Sequence, residues 1–196
     1  MTTDLDYGQP SLLEPDIDSG DAEFGSTALS FEAAGNEREA PARPINWNLL
    51  TADEAEAEWL DLNAWANWLR TTYGLPPAVL PPFWHRHDEL VWELSALHIH
   101  WLNAYDTDGS PSAPVAWHRD FAEARNRLRE WVATSGTRID RDRPTRLATW
   151  PGEEPVEPAG EVLIEDRDAD FVQFVIEDVT MRRRIEARAR AITRST

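Results

Sequence analysis

Five histidines, His85, His87, His98, His100 and His118, are the side chains with the most chemistry to offer. Imidazole titrates near neutral pH and is the commonest metal ligand. Four of the five stand in His-x-His pairs, so the local backbone decides whether each pair converges. Two residues apart in a helix, side chains diverge by about 200°; in extended backbone they share a side. His85 and His87 precede a helix and can converge. With His118 they form a candidate metal site for hydrolysis, and Asp88 and Asp120 are further ligands suited to zinc or iron. The competing reading is capping and polar contact at a helix start. His98 and His100 fall inside the helix and cannot share an ion. His98 sits beside the buried stripe and is expected as a hydrogen-bonded core residue.

Other matches dissolve on inspection. His118-Arg119-Asp120 spells part of a kinase catalytic loop, but there is no glycine-rich loop and the chain holds no lysine at all. Asp106-Thr107-Asp108-Gly109 resembles a calcium loop. With Gly109 in sixth place, the first and twelfth positions are Ala104 and Val115, which supply no carboxylate. Cysteine is absent, which excludes thiolate nucleophiles, disulfides and Cys-based zinc sites. No phosphate-cradling loop and no cofactor motif is present. The sequence points away from an enzyme and calls for no cofactor.

Charge is strong and uneven. The formal net charge is −17, and all nineteen basic residues are arginine. Residues 1–40 carry ten acids against Arg38, and residues 151–178 carry ten against Arg167. Residues 179–196 reverse this, with six arginines against Glu186. Arg182, Arg183, Arg184 and Arg188 are therefore the candidate phosphate contacts of a nucleic-acid-binding protein, with the acidic N-terminal stretch as a competitor. Pairing with nearby acids is the alternative.

The elements that must position these residues follow from periodicity. Residues 1–44 are acidic, with scattered Leu and Phe and no sustained period, and read as a disordered tail. Thr51 and Glu54 form a capping box, opening a helix that ends at Gly74. Its stripe is Ala55, Trp59, Leu62, Ala66, Leu69 and Tyr73. Four prolines between Leu75 and Trp84 predict a stiff, partly extended connector. A second helix runs from His87 or Asp88 to Tyr105 with the stripe Leu90, Leu94, Leu97, Trp101 and Tyr105. A third begins near Ser112 and stops before Gly136, with the stripe Trp117, Phe121, Ala124, Leu128 and Trp131. Residues 137–160 read as a linker with a short strand near 161–164. From about Asp170 a fourth, basic amphipathic helix carries Phe171, Phe174, Val175, Met181, Ile185 and Ile192 on one side. The expected fold is all-α: a three-helix, Trp-rich domain over 45–136 and a separate C-terminal helix within 161–196.

Nine of the ten tryptophans fall between Trp47 and Trp131, more indole than three stripes absorb. Helix one carries a second apolar set, Leu60, Ala64 and Trp68. Helix two carries Trp92, Ala96 and Ile99. A helix apolar on two faces is sandwiched or binds something. Leu60, Trp68, Trp92 and Ile99 are thus the candidate contacts for a protein partner or a second copy.

The run Trp59-x5-Trp65-x2-Trp68-Leu69-x3-Tyr73, then Pro81-Pro82-Phe83-Trp84-x2-His87, Glu93-Leu94-x2-Leu97-x3-Trp101 and Ser110-Pro111-Ser112-Ala113-x3-Trp117-His118 resembles an actinobacterial family of uncharacterised Trp-rich helical domains associated with plasmids and integrative mobile elements. The resemblance covers residues 45–136 and implies an accessory role beside mobile-DNA machinery, with no catalytic residue to carry over. No apolar run reaches the roughly 20 residues of a membrane span, and the N-terminus lacks the apolar core of a signal peptide. The expected location is cytoplasmic.

Overall fold

The computed structural model describes residues 43–146, 148–154 and 160–194, all within one compact unit. The acidic tail expected over residues 1–44 lies outside the described residues but for Arg43 and Pro44. Helix α1 spans Ala52–Tyr73. Its start is set by Thr51, whose hydroxyl accepts from the Glu54 amide at 3.3 Å while Glu54 Oε2 accepts from the Thr51 amide at 2.8 Å. Its end is set by Gly74 at φ 58°, a left-handed conformation natural to glycine. The prolines that follow fold into a turn, not an extended connector: the amides of Val79 and Leu80 both donate to the Pro76 carbonyl. Val79 and Leu80 are thereby buried.

A short 3-10 turn, Trp84–Arg86, leads into α2, Asp88–Ala104. Helix α3, Ala113–Thr134, packs along α2, and Trp117, Phe121, Ala124 and Leu128 are buried as their period requires. Trp131, the expected fifth member of that stripe, is 44% exposed. It sits in the last turn of a 22-residue helix that outruns the 17 residues of α2.

Two short strands follow, β1 (Arg141–Asp142) and β2 (Val162–Leu163), antiparallel with Arg141 opposite Leu163 and Asp142 opposite Val162. The second lies where a strand was expected; the first lies inside the expected linker. Gly136 admits this return of the chain, since a Cβ there would stand 2.0 Å from Arg143 Cγ and 2.5 Å from its carbonyl oxygen.

Helix α4, Arg167–Arg194, closes the core rather than standing apart. It runs antiparallel to α1. Near its start Arg167 donates to Asn63, and near its end Glu186 Oε1 accepts from the Ala52 amide at 2.7 Å. Phe171, Val175 and Val179 are buried, and Asp178 accepts from the Trp59 indole at 3.0 Å. The helix is 28 residues long against 22 for α1. Glu186 already meets Ala52, the first residue of α1, so residues 187–194 overhang, and all are exposed. Met181, Ile185 and Ile192, expected on the same side as Phe171, are 61%, 59% and 69% exposed. Among the described residues no helix is long and apolar enough to cross a membrane.

Candidate functional site

The histidines do not assemble a metal centre. His85 is buried, and its Nε2 lies 2.9 Å from Asp170 Oδ2 on α4. Burial pushes this imidazole down to about 4, against the weaker upward pull of the carboxylate. The neutral ring donates Nε2–H to Asp170 and leaves Nδ1 without a partner. Arg86 donates to the same carboxylate through Nε at 2.9 Å and through its terminal nitrogen. Burial alone would raise the Asp170 carboxyl, but donation from Arg86 and His85 outweighs it and holds the group below the usual carboxylate range.

His87 is bolted from both sides. Its Nε2 lies 2.8 Å from the buried Asp142 on β1, and its Nδ1 lies 2.9 Å from Thr145 Oγ1. A hydroxyl, an imidazole and a carboxylate in that order resemble a hydrolytic relay. The Thr145 hydroxyl, however, donates its proton to Glu89 Oε1 at 2.6 Å. It is a strut, not a waiting nucleophile. These two histidines fasten α4 and the returning chain to the start of α2.

His118 lies at the opposite end of α2, against Trp117 and Tyr73 and 3.4 Å from the Tyr105 hydroxyl. The length of α2, about 25 Å, separates it from His87. No group of three or more His, Asp or Glu among the described residues can hold a metal ion. The structure does not bring His85, His87 and His118 of the expected site together: the first two bond separate carboxylates, and His118 lies at the far end of α2. His98 is buried and stacks on Trp65 at 4.9 Å, and His100 meets Asp120 at 3.1 Å.

The arginine quartet divides. Arg182 donates to Asp178 at 2.8 Å and to the carbonyls of Trp47 and Leu50 at 2.9 and 3.0 Å, a clamp on the entry to α1. Arg183 reaches Asp53 and Glu56 at 3.3 and 3.2 Å. Arg184 and Arg188 have no acceptor among the described residues and are exposed.

The candidate contact residues divide as well. Trp92, 39% exposed, and the half-buried Ile99 line one open depression of about 340 Å³ with Pro44, Ile45, Ala96, His100 and Asn103. Leu60, 57% exposed, is not in its wall. Trp68 is half-buried against Trp101 at 5.0 Å and Tyr73 at 6.1 Å. The four do not make one surface, because α1 and α2 turn their second stripes outward in different directions. A larger cleft of about 700 Å³ runs between α1, the proline turn and the start of α4. No histidine lines it, and its Arg167 is engaged by the Pro82 carbonyl, Asn63 and Asp168.

Residues assigned to the buried stripes supply an aromatic surface the sequence did not announce. Trp101 and Tyr73 are half-buried and Tyr105 is 46% exposed. Their periodicity marks the face that turns inward; it carries no signal that the stripe ends at the tip of the bundle, where cover runs out.

Comparison of the chain with protein-family models, with curated proteins and with solved structures finds no match in any of the three.

Proposed function

We propose that this is a non-enzymatic interaction protein, an adaptor acting in the cytoplasm as an accessory to mobile DNA, which binds a protein partner or a second copy through the outer face of α2. The observation that carries the reading is the depression around Trp92. An indole left 39% exposed on a rigid helix, beside Ile99, Ala96 and Ile45, forgoes on the order of 2 kcal/mol of burial that a partner recovers. Tryptophan is among the residues enriched at binding hot spots. The bonds of His85 to Asp170 and of His87 to Asp142 and Thr145 support this reading.

The test pairs mass in solution with capture from the native host, using Trp92→Glu as control. A partner or dimer present for the native chain and absent for a folded variant sustains the reading. A monomer that captures nothing, and that unfolds on the substitution, sinks it.

Nucleic-acid binding is a second reading, supported by the exposed guanidinium groups of Arg184 and Arg188 in the second half of α4, which have no acceptor among the described residues. Titration with single- and double-stranded DNA at two salt concentrations tests it. Binding that ignores salt, or survives deletion of residues 179–196, contradicts it.

A further inference from the structure

Past the end of α3 the chain turns back beside the proline turn and leaves an open depression of about 610 Å³. Pro77, Ala78 and Pro81 line it from the proline turn, Val132 and Ala133 from α3, and Ile139, 70% exposed, from the chain beyond. A mostly apolar concavity of this size takes a small organic molecule. The backbone after α3 is held in place. Gly136 lies too close to Arg143 to carry a Cβ, and the Arg138 amide donates to the Arg141 carbonyl at 2.8 Å.

Polar side chains interrupt this lining, and the fold leaves them with donors to spare. Thr137, in the same wall, is 2% exposed, and its hydroxyl has no hydrogen-bond partner among the described residues. A buried hydroxyl left unpaired is costly, which calls for an acceptor from elsewhere. Arg129 and Arg138 line the depression as well. Each guanidinium is positioned by a neutral oxygen. Arg129 donates to Asn126 Oδ1 at 2.7 Å, and Arg138 donates to the Thr137 carbonyl at 2.8 Å. Neither meets a carboxylate among the described residues, although the chain has 36 acids for its 19 arginines. Arg127 and Arg141, close in sequence, are by contrast held by Glu93 and Asp140. A guanidinium has five N–H donors, so most of each fork stays available. Glu130 is the acid of the lining; two arginines against one glutamate leave a single net positive charge.

We infer that this depression binds a small monocarboxylate with an apolar body. The carboxylate takes the parallel N–H pairs that a guanidinium presents, and its one charge matches the one excess charge of the wall. The Thr137 hydroxyl supplies a further donor. The carbon body covers the proline rings, Val132 and Ile139, taking apolar surface out of water. A phosphate dianion would bring one charge too many and no apolar body. A purely apolar ligand would leave the Thr137 hydroxyl unpaired. The site is separate from the Trp92 depression, which no arginine lines.

The experiment titrates the full-length protein with hydrocinnamate, a phenyl ring on a short acid chain, and follows the backbone amide resonances of Thr137, Arg138 and Ile139. The expected result is saturable movement of these signals, with the Trp92 indole as an unmoved internal reference. Hydrocinnamyl alcohol keeps the body without the charge, and acetate keeps the charge without the body. Each is expected to bind at least about tenfold more weakly. Arg129→Gln combined with Arg138→Gln is expected to weaken hydrocinnamate by a similar factor while the circular dichroism stays native, since both side chains are exposed. Thr137→Val, close in shape but without the hydroxyl, is expected to weaken it about threefold or more. No saturable movement, equal binding of the alcohol or of acetate, or undiminished binding by either variant overturns the inference.

Discussion

The two ends of α2 are opposites. At its N-terminal end His85, Arg86 and His87 are surrounded by Asp170, Asp142, Thr145 and Glu89, and almost every polar atom has a partner. At its C-terminal end Trp101 and Tyr105 join a cluster of rings that is only partly covered. The side chains with catalytic reputations are locked away, and side chains that read as plain core are left facing water. A residue type states what a group can do; only its surroundings state whether it is still free to do it.

The contrast breaks most visibly at Asp142. Asp142→Ala leaves His87 buried without its acceptor, and a loss of about 3 kcal/mol is expected in urea denaturation. Stability unchanged within error would mean that the polar end is not closed. Acid tests the same end from a different side. The His85 imidazole is held down to about 4 in the folded chain and titrates near 6.5 when unfolded. The unfolded state therefore binds the extra proton first. The stabilisation is complete above about pH 6.5, falls as the pH drops toward 4, and amounts to about 3 kcal/mol over that window. Asp170, depressed in the fold, adds loss in the same direction as the pH falls through its folded value. Unfolding free energies measured across pH 4–7 for the native chain and His85→Gln should converge at the acid end.

Smaller effects sharpen the picture. Gly136→Ala forces a Cβ against the Arg143 backbone and is expected to cost about 2 kcal/mol, with faster hydrogen exchange in residues 137–145. Thr51→Ala removes one half of the box that starts α1 and should cost about 1 kcal/mol. At the aromatic end Tyr105→Phe deletes only a 3.4 Å contact to His118, so a change within about 0.5 kcal/mol is expected. A larger loss there would erase the distinction between the two ends.

Local signals made α1 readable to the residue. Thr51, Glu54 and Gly74 act within one turn of the helix ends, so no distant contact was needed to interpret them. The same holds for the buried members of α3. Extent was not readable: Trp131 and Tyr105 obey the right period but lie at helix ends where cover runs out, and Met181 and Ile185 fall off the face of α4 that Phe171, Val175, Val179 and Arg182 turn to the core. Nor was β1, two residues long and defined by a partner strand and by His87, 55 positions earlier. Of the proposed contacts, Trp92 and Ile99 were visible as a second stripe that the fold leaves in a common wall. The partly covered aromatic cluster was hidden, because three separate stripes had to end at the same place.

The clasp of α4 on α1 also orders events in time. The Trp59 indole waits for Asp178, 119 positions later, and Ala52 for Glu186, 134 positions later. As the chain leaves the ribosome, α2 and α3 can pair at once, whereas the sides of Trp59 and Trp84 that meet Phe171 stay open until α4 emerges. The nascent protein passes through a stage at which two of its indoles still have a face in water.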